Sequence, residues 1–408
     1  MKVLLVNKFH YLKGGSEKYY FELGKLLKEN GHEVAYFSMK DEKNIKTGDK
    51  EFFVEPIDLN NGSKLNALDV IYSKNNYKKM IAAIEDFKPD IVHLNNFQRQ
   101  LSASIVKAAK DKKIPIVFTA HDVQAICPAI TMLDGNHKIC EDCIRGKYKC
   151  CFKKKCIKGS TLKSLLGSIE GLYYRKHKIY SETIKHVITP SEFYRERFIT
   201  DGLKESHITA VHNFINMEDY NLNIENDNFA LYSGRLSKEK GVLNLIEAFS
   251  NLINENNSYK LFIAGDGPEK EKIIEYIKEK KINNNIKLLG YISQMDLKEY
   301  TRRCTFLVVP SIWYENCPYS ILETQAIGKP IIGANIGGIP ELVKDGENGF
   351  IYDSCDVKEL KEKMKKMFNE KELYEKFSIN SKEFAKKEYD KNIYYEKIYN
   401  IYRKAKGE

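Results

Sequence analysis

Short runs of apolar and β-branched residues alternate with longer segments of helical period along nearly the whole chain. A sequence written this way predicts an α/β protein, because each short run suits a strand buried on both faces and each amphipathic segment suits a covering helix. The first series begins with KVLLV at residues 2 to 6 and the helix-like EKYYFELGKLLKENG. It continues with EVAYFS (33 to 38), DIVHL (90 to 94), PIVFTA (115 to 120) and HVITP (186 to 190), with NNYKKMIAAIEDF among the intervening amphipathic segments. After the asparagine-rich INMEDYNLNIENDN, residues 215 to 228, the pattern restarts with FALYS, KLFIAG, IKLLG, TFLVVP, PIIGA and GFIY.

Two Rossmann-like, doubly wound domains with parallel sheets are therefore expected. The boundaries read from the pattern are 1–214 for the first domain, 215–228 for a linker, 229–375 for the second domain and 376–408 for a helical tail, which need not pack on the second domain and is expected to return to the first. Ligands are expected where the carboxyl ends of the strands face an interdomain cleft. A length of 408 residues agrees with two or three domains. No apolar stretch approaches the ~18 residues of a spanning helix, and the start lacks a signal-peptide h-region, so a cytoplasmic location is expected. In such a compartment the nine cysteines read as thiols, ligands or nucleophiles. The formal charge of +10 favours an anionic partner, whether a phosphorylated metabolite, an acidic lipid surface or nucleic acid.

Three places that follow strands carry chemistry. After KVLLV, Gly14 and Gly15 open a helix whose free N–H groups suit an anion, although a Gly-Gly pair taken alone reads as a tight turn. After FALYS, Arg235 offers a planar fork for phosphate oxygens, and Lys240, just before Gly241 and a helix, offers a point charge. A basic pair in a loop is more commonly a solvated surface, and its position between strand and helix is what favours the clamp. After TFLVVP comes PSIWYENCPYSILETQAIG, with Glu315 in the loop and Glu323 inside the helix. The N–H groups around Tyr319, Ser320 and Ile321 lie at that helix's positive end.

SGRLSKEKG, AGDGPE (264 to 269), the Glu315-to-Glu323 spacing and IGGIPELVKDGENGF together resemble family-4 retaining glycosyltransferases of GT-B fold. KGGSEKY, PDIVHLNN, IVFTAHD and ITPSEFYRERF resemble the amino-terminal half of that family in the same order. The resemblance implies that Arg235 and Lys240 clamp a donor diphosphate, joined by amides near Tyr319 and Ser320. It implies that Glu323 binds ribose hydroxyls, Glu315 sits at the transferred sugar, and His121 faces that sugar from the other domain. Gly14 and Gly15 would border the phosphates, while Gly265 to Gly267 and the turn through Tyr291 and Ile292 would line the base pocket. Where the family commonly has Gly-Phe-Gly after the first glutamate, this chain has Asn316, Cys317 and Pro318, which bears on the sugar contacts.

The resemblance further implies transfer with retention, in which the donor's own phosphate oxygen takes the acceptor's proton. No D-x-D triplet is present, so metal-independent catalysis is expected, with Arg235 and Lys240 supplying the charge. The donor would be UDP- or GDP-linked and the acceptor a glycan or polyprenyl-linked molecule. The Lys, Asn, Ile and Tyr bias suggests an AT-rich bacterial genome and hence surface polysaccharide synthesis. Rival readings are an inactive accessory subunit of the same fold, a phosphorylase or epimerase, and a nucleic-acid module, the last weakened by sparse interleaved aromatics.

The segment from Cys127 to Cys156 holds six of the nine cysteines. Cys140, Cys143, Cys150, Cys151 and Cys156 have the spacing of a structural zinc site with an open choice of fourth ligand, and read equally well as reduced thiols. The same stretch is basic, and STLKSLLGSIEGLYYRKHKIY follows with Leu162, Leu165, Leu166, Ile169, Leu172 and Tyr173 at helical spacing. The favoured reading is that this stripe packs on its own domain; the alternative is a helix peripheral to the inner membrane leaflet. His93 reads as structural, and Ser191 with Glu192 as a helix cap.

Overall fold

The computed structural model describes residues 1–57 and 68–408. The chain divides into two compact units, one made of Met1–His212 with Tyr394–Glu408 and the other of Asn213–Ile393. Each is a parallel open sheet with helical crossovers, the two Rossmann-like domains that the sequence pattern leads one to expect.

In the first unit the described strands are β1 (Lys2–Val6), β2 (Glu33–Met39), β3 (Lys50–Val54), β4 (Ile91–Leu94), β5 (Ile116–Thr119), β6 (His186–Thr189) and β7 (Ile208–Ala210). Their order is β3-β2-β1-β4-β5-β6-β7, with Val3 of β1 opposite Val34 on one side and Ile91 on the other. Val3 to Val6 are fully buried because both faces of β1 are covered, which is why the strand is apolar without alternation. β3 and β7 are edge strands that the hydrophobic pattern does not announce. KEFFV is mostly half-exposed and ITA is three residues long, so neither needs a continuous apolar run.

The second unit contains β8 (Phe229–Ser233), β9 (Lys260–Ala264), β10 (Ile286–Gly290), β11 (Phe306–Val309), β12 (Ile331–Ala334) and β13 (Gly349–Tyr352), in the order β10-β9-β8-β11-β12-β13. Strand order reverses between β1 and β4 in the first sheet and between β8 and β11 in the second. Those two reversals are where an open parallel sheet splays its loops apart and makes a crevice.

Two features differ from the boundaries read in the sequence. Residues 215 to 228 belong to the second unit rather than to a free linker. Ile215 bridges Asp390, and the Glu225 and Asp227 amides donate to the carbonyls of Arg302 and Arg303. A polar composition marked the segment as a linker, yet its backbone groups are satisfied by a neighbouring helix end. The tail is two helices, Lys371–Tyr389 and Lys391–Lys406, and the second lies in the first unit. There Tyr394, Ile398, Ile401 and Tyr402 are buried, the Tyr394 hydroxyl meets that of Tyr19, and the Tyr402 hydroxyl lies 2.6 Å from His93 Nδ1. His93 is thus a buried structural histidine, and burial pushes its pKa down to about 3.

The helix Thr161–Lys176 reverses most of the favoured expectation. Ser164, Gly167, Ser168, Glu170 and Tyr174 face inward; of the six stripe residues Leu162, Leu165, Ile169 and Leu172 are exposed, and Leu166 and Tyr173 are half-buried.

Candidate donor site

In the second unit the loops after β8 and β11 meet at the reversal of strand order, and they carry the strongest sequence candidates. Lys240 Nζ lies 2.6 Å from Glu315 Oε1, so these two residues, 75 positions apart, form an ion pair. Ser311 Oγ donates to the same oxygen at 2.6 Å and Trp313 Nε1 at 2.8 Å. Glu315 is only 6% exposed, and a carboxylate in that position would ordinarily be pushed towards its neutral form. Burial does raise its pKa, but Lys240 and the three hydrogen bonds outweigh it and leave the group below the usual carboxylate range. Glu315 is therefore held ionised, and its hydrogen bonds converge on one oxygen. Lys240 also lies 5.3 Å from the Trp313 ring centre, which limits where its ammonium can go.

Glycines place this pair. Gly241 has φ +67, and a Cβ there would come within 2.0 Å of the Pro310 carbonyl, so only glycine lets the β8 loop lie against the end of β11. Gly337 has φ +60, its Cβ position would fall 2.4 Å from the Glu315 carbonyl, and the next amide, Gly338, donates to that carbonyl at 2.8 Å. The IGGIPE turn is thus a backbone support for Glu315. The two adjacent glycines after β12 are the visible mark of this support in the sequence.

Arg235 is exposed, and among the described residues no carboxylate pairs with it. Its loop is held by the glycines expected in the base pocket: Cβ atoms on Gly265 and Gly267 would meet the carbonyls of Gly234 and Leu236 at 1.8 and 2.3 Å. The Leu236 amide donates to the Asp266 carbonyl and the Glu269 amide to the Leu236 carbonyl. Close backbone approach explains both glycines. Tyr291 is 87% exposed and Ile292 follows it at the end of β10, where Gly290 has φ +68.

The helix Tyr319–Ile327 starts at Pro318, whose fixed φ suits a cap and whose side chain satisfies none of the first amides. Tyr319 is buried and Ser320 half-buried at its first turn, so their N–H groups point out of the helix's positive end. Glu323, one turn on, accepts from the Tyr220 hydroxyl at 3.2 Å. Asn316 is half-buried, and the Cys317 carbonyl accepts from Asn213 Nδ2 at 3.1 Å.

In the first unit Gly14 caps the helix Gly15–Glu29 in an extended conformation, and both glycines are exposed. Glu17 in the first turn is buried and accepts from Ser16 Oγ at 3.0 Å and Asn7 Nδ2 at 3.3 Å. A carboxylate already lies at that helix start, which the Gly-Gly reading overlooked. His121 follows β5, donates from Nε2 to Asn95 Oδ1 at 3.0 Å, and stacks edge-on to Tyr19 with ring centres 4.7 Å apart. Burial pushes its pKa down to about 3, so the imidazole is neutral. Asn95 orients that ring. Ser191 Oγ accepts from the Tyr194 amide, the cap expected of it.

The cysteine segment brings thiols together without a ligand cage. Cys143 and Cys151 are buried against Tyr148, with Cys150 and Cys156 packed on them. Cys156 is pulled down to about 7, chiefly by a hydrogen bond with Cys151. Among the described residues no group of three or more His, Cys, Asp or Glu side chains is arranged to hold a metal ion.

The second unit is thus a GT-B domain, a parallel sheet with a half-buried lysine paired to a buried carboxylate at its switch point and an exposed arginine beside it. The chain belongs to the group 1, family 4 glycosyltransferases. The family model described as Glycosyltransferase Family 4 matches residues 13–219, and that described as Glycosyl transferases group 1 matches residues 215–384. An uncharacterised glycosyltransferase of Methanocaldococcus jannaschii is 33% identical over 231 residues, 56% of this chain and 62% of that protein. The alignment thus spans under two thirds of that relative's length. The capsular polysaccharide biosynthesis glycosyltransferase CapM of Staphylococcus aureus is 27% identical over 60% of this chain and 68% of its own. Among solved structures, HepE of Anabaena in complex with UDP and glucose superposes with a TM-score of 0.70 at 17% identity, covering 98% of this chain and 99% of that one.

Proposed function

We propose that this chain is a retaining glycosyltransferase that moves a sugar from a UDP- or GDP-linked donor to a glycan or lipid-linked acceptor in bacterial surface polysaccharide synthesis. The observation that carries the reading is the Lys240–Glu315 pair at the reversal of the second sheet, with Arg235 exposed on the adjoining loop. HepE was solved with UDP and glucose and CapM is named for capsular polysaccharide synthesis, which supports the donor class and the setting.

The residues divide the work by chemistry. Arg235 and the remaining protons of the Lys240 ammonium neutralise the diphosphate, with the first amides of the Tyr319–Ile327 helix as further donors. Glu315 takes its protein hydrogen bonds on Oε1, and Oε2 accepts from a sugar hydroxyl while the fixed negative charge stabilises the cationic anomeric carbon. Glu323 accepts from the ribose. His121 is held neutral and turned by Asn95, and the family resemblance is what assigns it to the sugar. The proton of the acceptor passes to the leaving phosphate oxygen, so the protein contributes charge and position, and the catalysis is metal-independent. Screening UDP and GDP by thermal shift, then their sugars with and without acceptor, tests this. Arg235→Ala is expected to lower nucleotide affinity roughly ten-fold or more, the loss of one charge-assisted bidentate contact. Unchanged turnover in Arg235→Ala and Glu315→Ala would overturn the assignment.

A further inference from the structure

The helix Thr161–Lys176 is amphipathic in the inverted sense. Its inner face carries, beside Glu170 and Tyr174, small residues that a close neighbour explains: a Cβ on Gly167 would stand 2.5 Å from Ile157 Cδ1, and one on Gly171 3.0 Å from the Tyr148 ring. Ser168 Oγ donates to the Tyr148 carbonyl and Ser164 Oγ accepts from the Ile157 amide, so this face is committed to the first unit. The outer face presents Leu162, Leu165, Ile169 and Leu172, which are 76%, 40%, 45% and 47% exposed. They stand three, four and three residues apart, which puts them on one stripe. Four exposed aliphatic side chains in one row are not ordinary scatter on a helix whose buried positions are two serines, a glycine, Glu170 and Tyr174.

The surroundings state what the stripe meets. From residue 145 to residue 178 there are eleven lysines and arginines and one acid, Glu170, which is buried. Lys153, Lys155, Lys158, Lys163 and Lys176 are exposed, and none has a carboxylate partner among the described residues. Phe152, on the short helix Lys149–Lys153, is also exposed. An apolar row rimmed by unpaired cations matches an anionic lipid surface, where leucines enter the acyl boundary and lysine stems lie along it with their heads among the phosphates. A second copy of this chain is the poorer occupant, because a two-fold contact lays the same cationic rim against itself. Among the described residues no helix is long and apolar enough to cross a bilayer, so the geometry is one of lying on the surface.

We infer that the Thr161–Lys176 helix and the lysines before it dock the first unit on an anionic membrane surface. The inference stands apart from the donor-site reading, since binding is measured without donor or acceptor. The test is sedimentation of the full chain with phosphatidylcholine vesicles with and without phosphatidylglycerol. Binding to the mixed vesicles is expected, weakened by salt and at least ten-fold lower on phosphatidylcholine alone, since each lysine near an anionic surface contributes roughly five-fold. The triple change Leu165→Gln, Ile169→Gln, Leu172→Gln is expected to keep the circular dichroism spectrum and melting profile and to lose binding ten-fold or more. Lys155→Glu with Lys158→Glu is expected to abolish the preference for phosphatidylglycerol. No binding to either vesicle overturns the inference, as does a triple variant that binds as the parent does. A dimer in sedimentation equilibrium that the triple variant converts to monomer also overturns it, in favour of a second copy.

Discussion

Glu315 shows how a residue's role depends on neighbours that a linear sequence separates. Two carboxylates eight positions apart suggested opposite ends of one ligand, and Lys240 was assigned to the diphosphate alone. In the fold, the lysine and Glu315 are one unit, because the loops after β8 and β11 emerge at the same reversal. Residue types and strand ends were legible; the pairing was not, since it depends on which strands are adjacent. The pair has a pH consequence with a definite sign. Glu315 has its pKa lowered in the folded chain, so the stability that its ionised form contributes is present above the ordinary carboxylate range. It is lost as pH falls through the lowered value. Lys240→Met removes the largest of the opposing effects and leaves burial resisted only by Ser311 and Trp313. The Glu315 carboxyl is then expected to titrate higher than in the parent, and the variant to lose on the order of 2 kcal/mol at neutral pH. Carbon-detected NMR of labelled glutamate and urea unfolding at two pH values measure both. A Glu315 titration unmoved by the substitution would show that the pairing is not what holds its charge.

At the level of elements, what could be read was what repeats. Every strand proposed from an apolar run is present, while β3 and β7 were missed because edge strands need no such run. The Thr161–Lys176 stripe was seen but turned the wrong way, since helical spacing locates a stripe without saying which side a protein covers. The turns are harder still. Glycines 265 and 267 were read as lining a base pocket, and their contacts show a further demand that the sequence does not announce, backbone laid on backbone. That distinction gives a comparison between two glycines of similar φ. Gly337→Ala brings a methyl group within 2.4 Å of the Glu315 carbonyl at φ +60, whereas Gly346→Ala at φ +73 meets nothing within 4 Å. Both incur the left-handed strain of a non-glycine residue, on the order of 1 kcal/mol. Only Gly337→Ala must also displace the loop that carries Glu315, so it is expected to lose glycosyl transfer at least ten-fold while Gly346→Ala keeps it. Equal losses would mean that the IGGIPE turn does not position the carboxylate.

On the scale of the whole molecule, the chain leaves its first unit at His212 and re-enters it at Tyr394. A helical tail of lysines and tyrosines that returns to the first domain was expected from the sequence, and it does return; which side chains it meets there was not legible, because a Tyr-rich stripe fits many surfaces. The structure gives the tyrosines particular partners: Tyr394 meets Tyr19, and Tyr402 meets His93, whose Nε2 lies 2.8 Å from Thr119 Oγ1. The last fifteen residues therefore complete the core beneath β1 and β4 and do not merely cover it. Four buried side chains at roughly 1.5 to 3 kcal/mol each are comparable with the 5–15 kcal/mol net stability of a typical domain. Ending the chain after Ile393 is expected to strip hydrogen-exchange protection from β1 and β4 and to raise the His93 pKa from about 3 towards 6.5 as water reaches the ring. Tyr402→Phe separates the two contributions, since it keeps the packing and removes one hydrogen bond. It should cost about 1 kcal/mol and leave β1 protected. If the truncated chain kept β1 and β4 protected, the returning helix would be an ornament on the first unit and not part of its core.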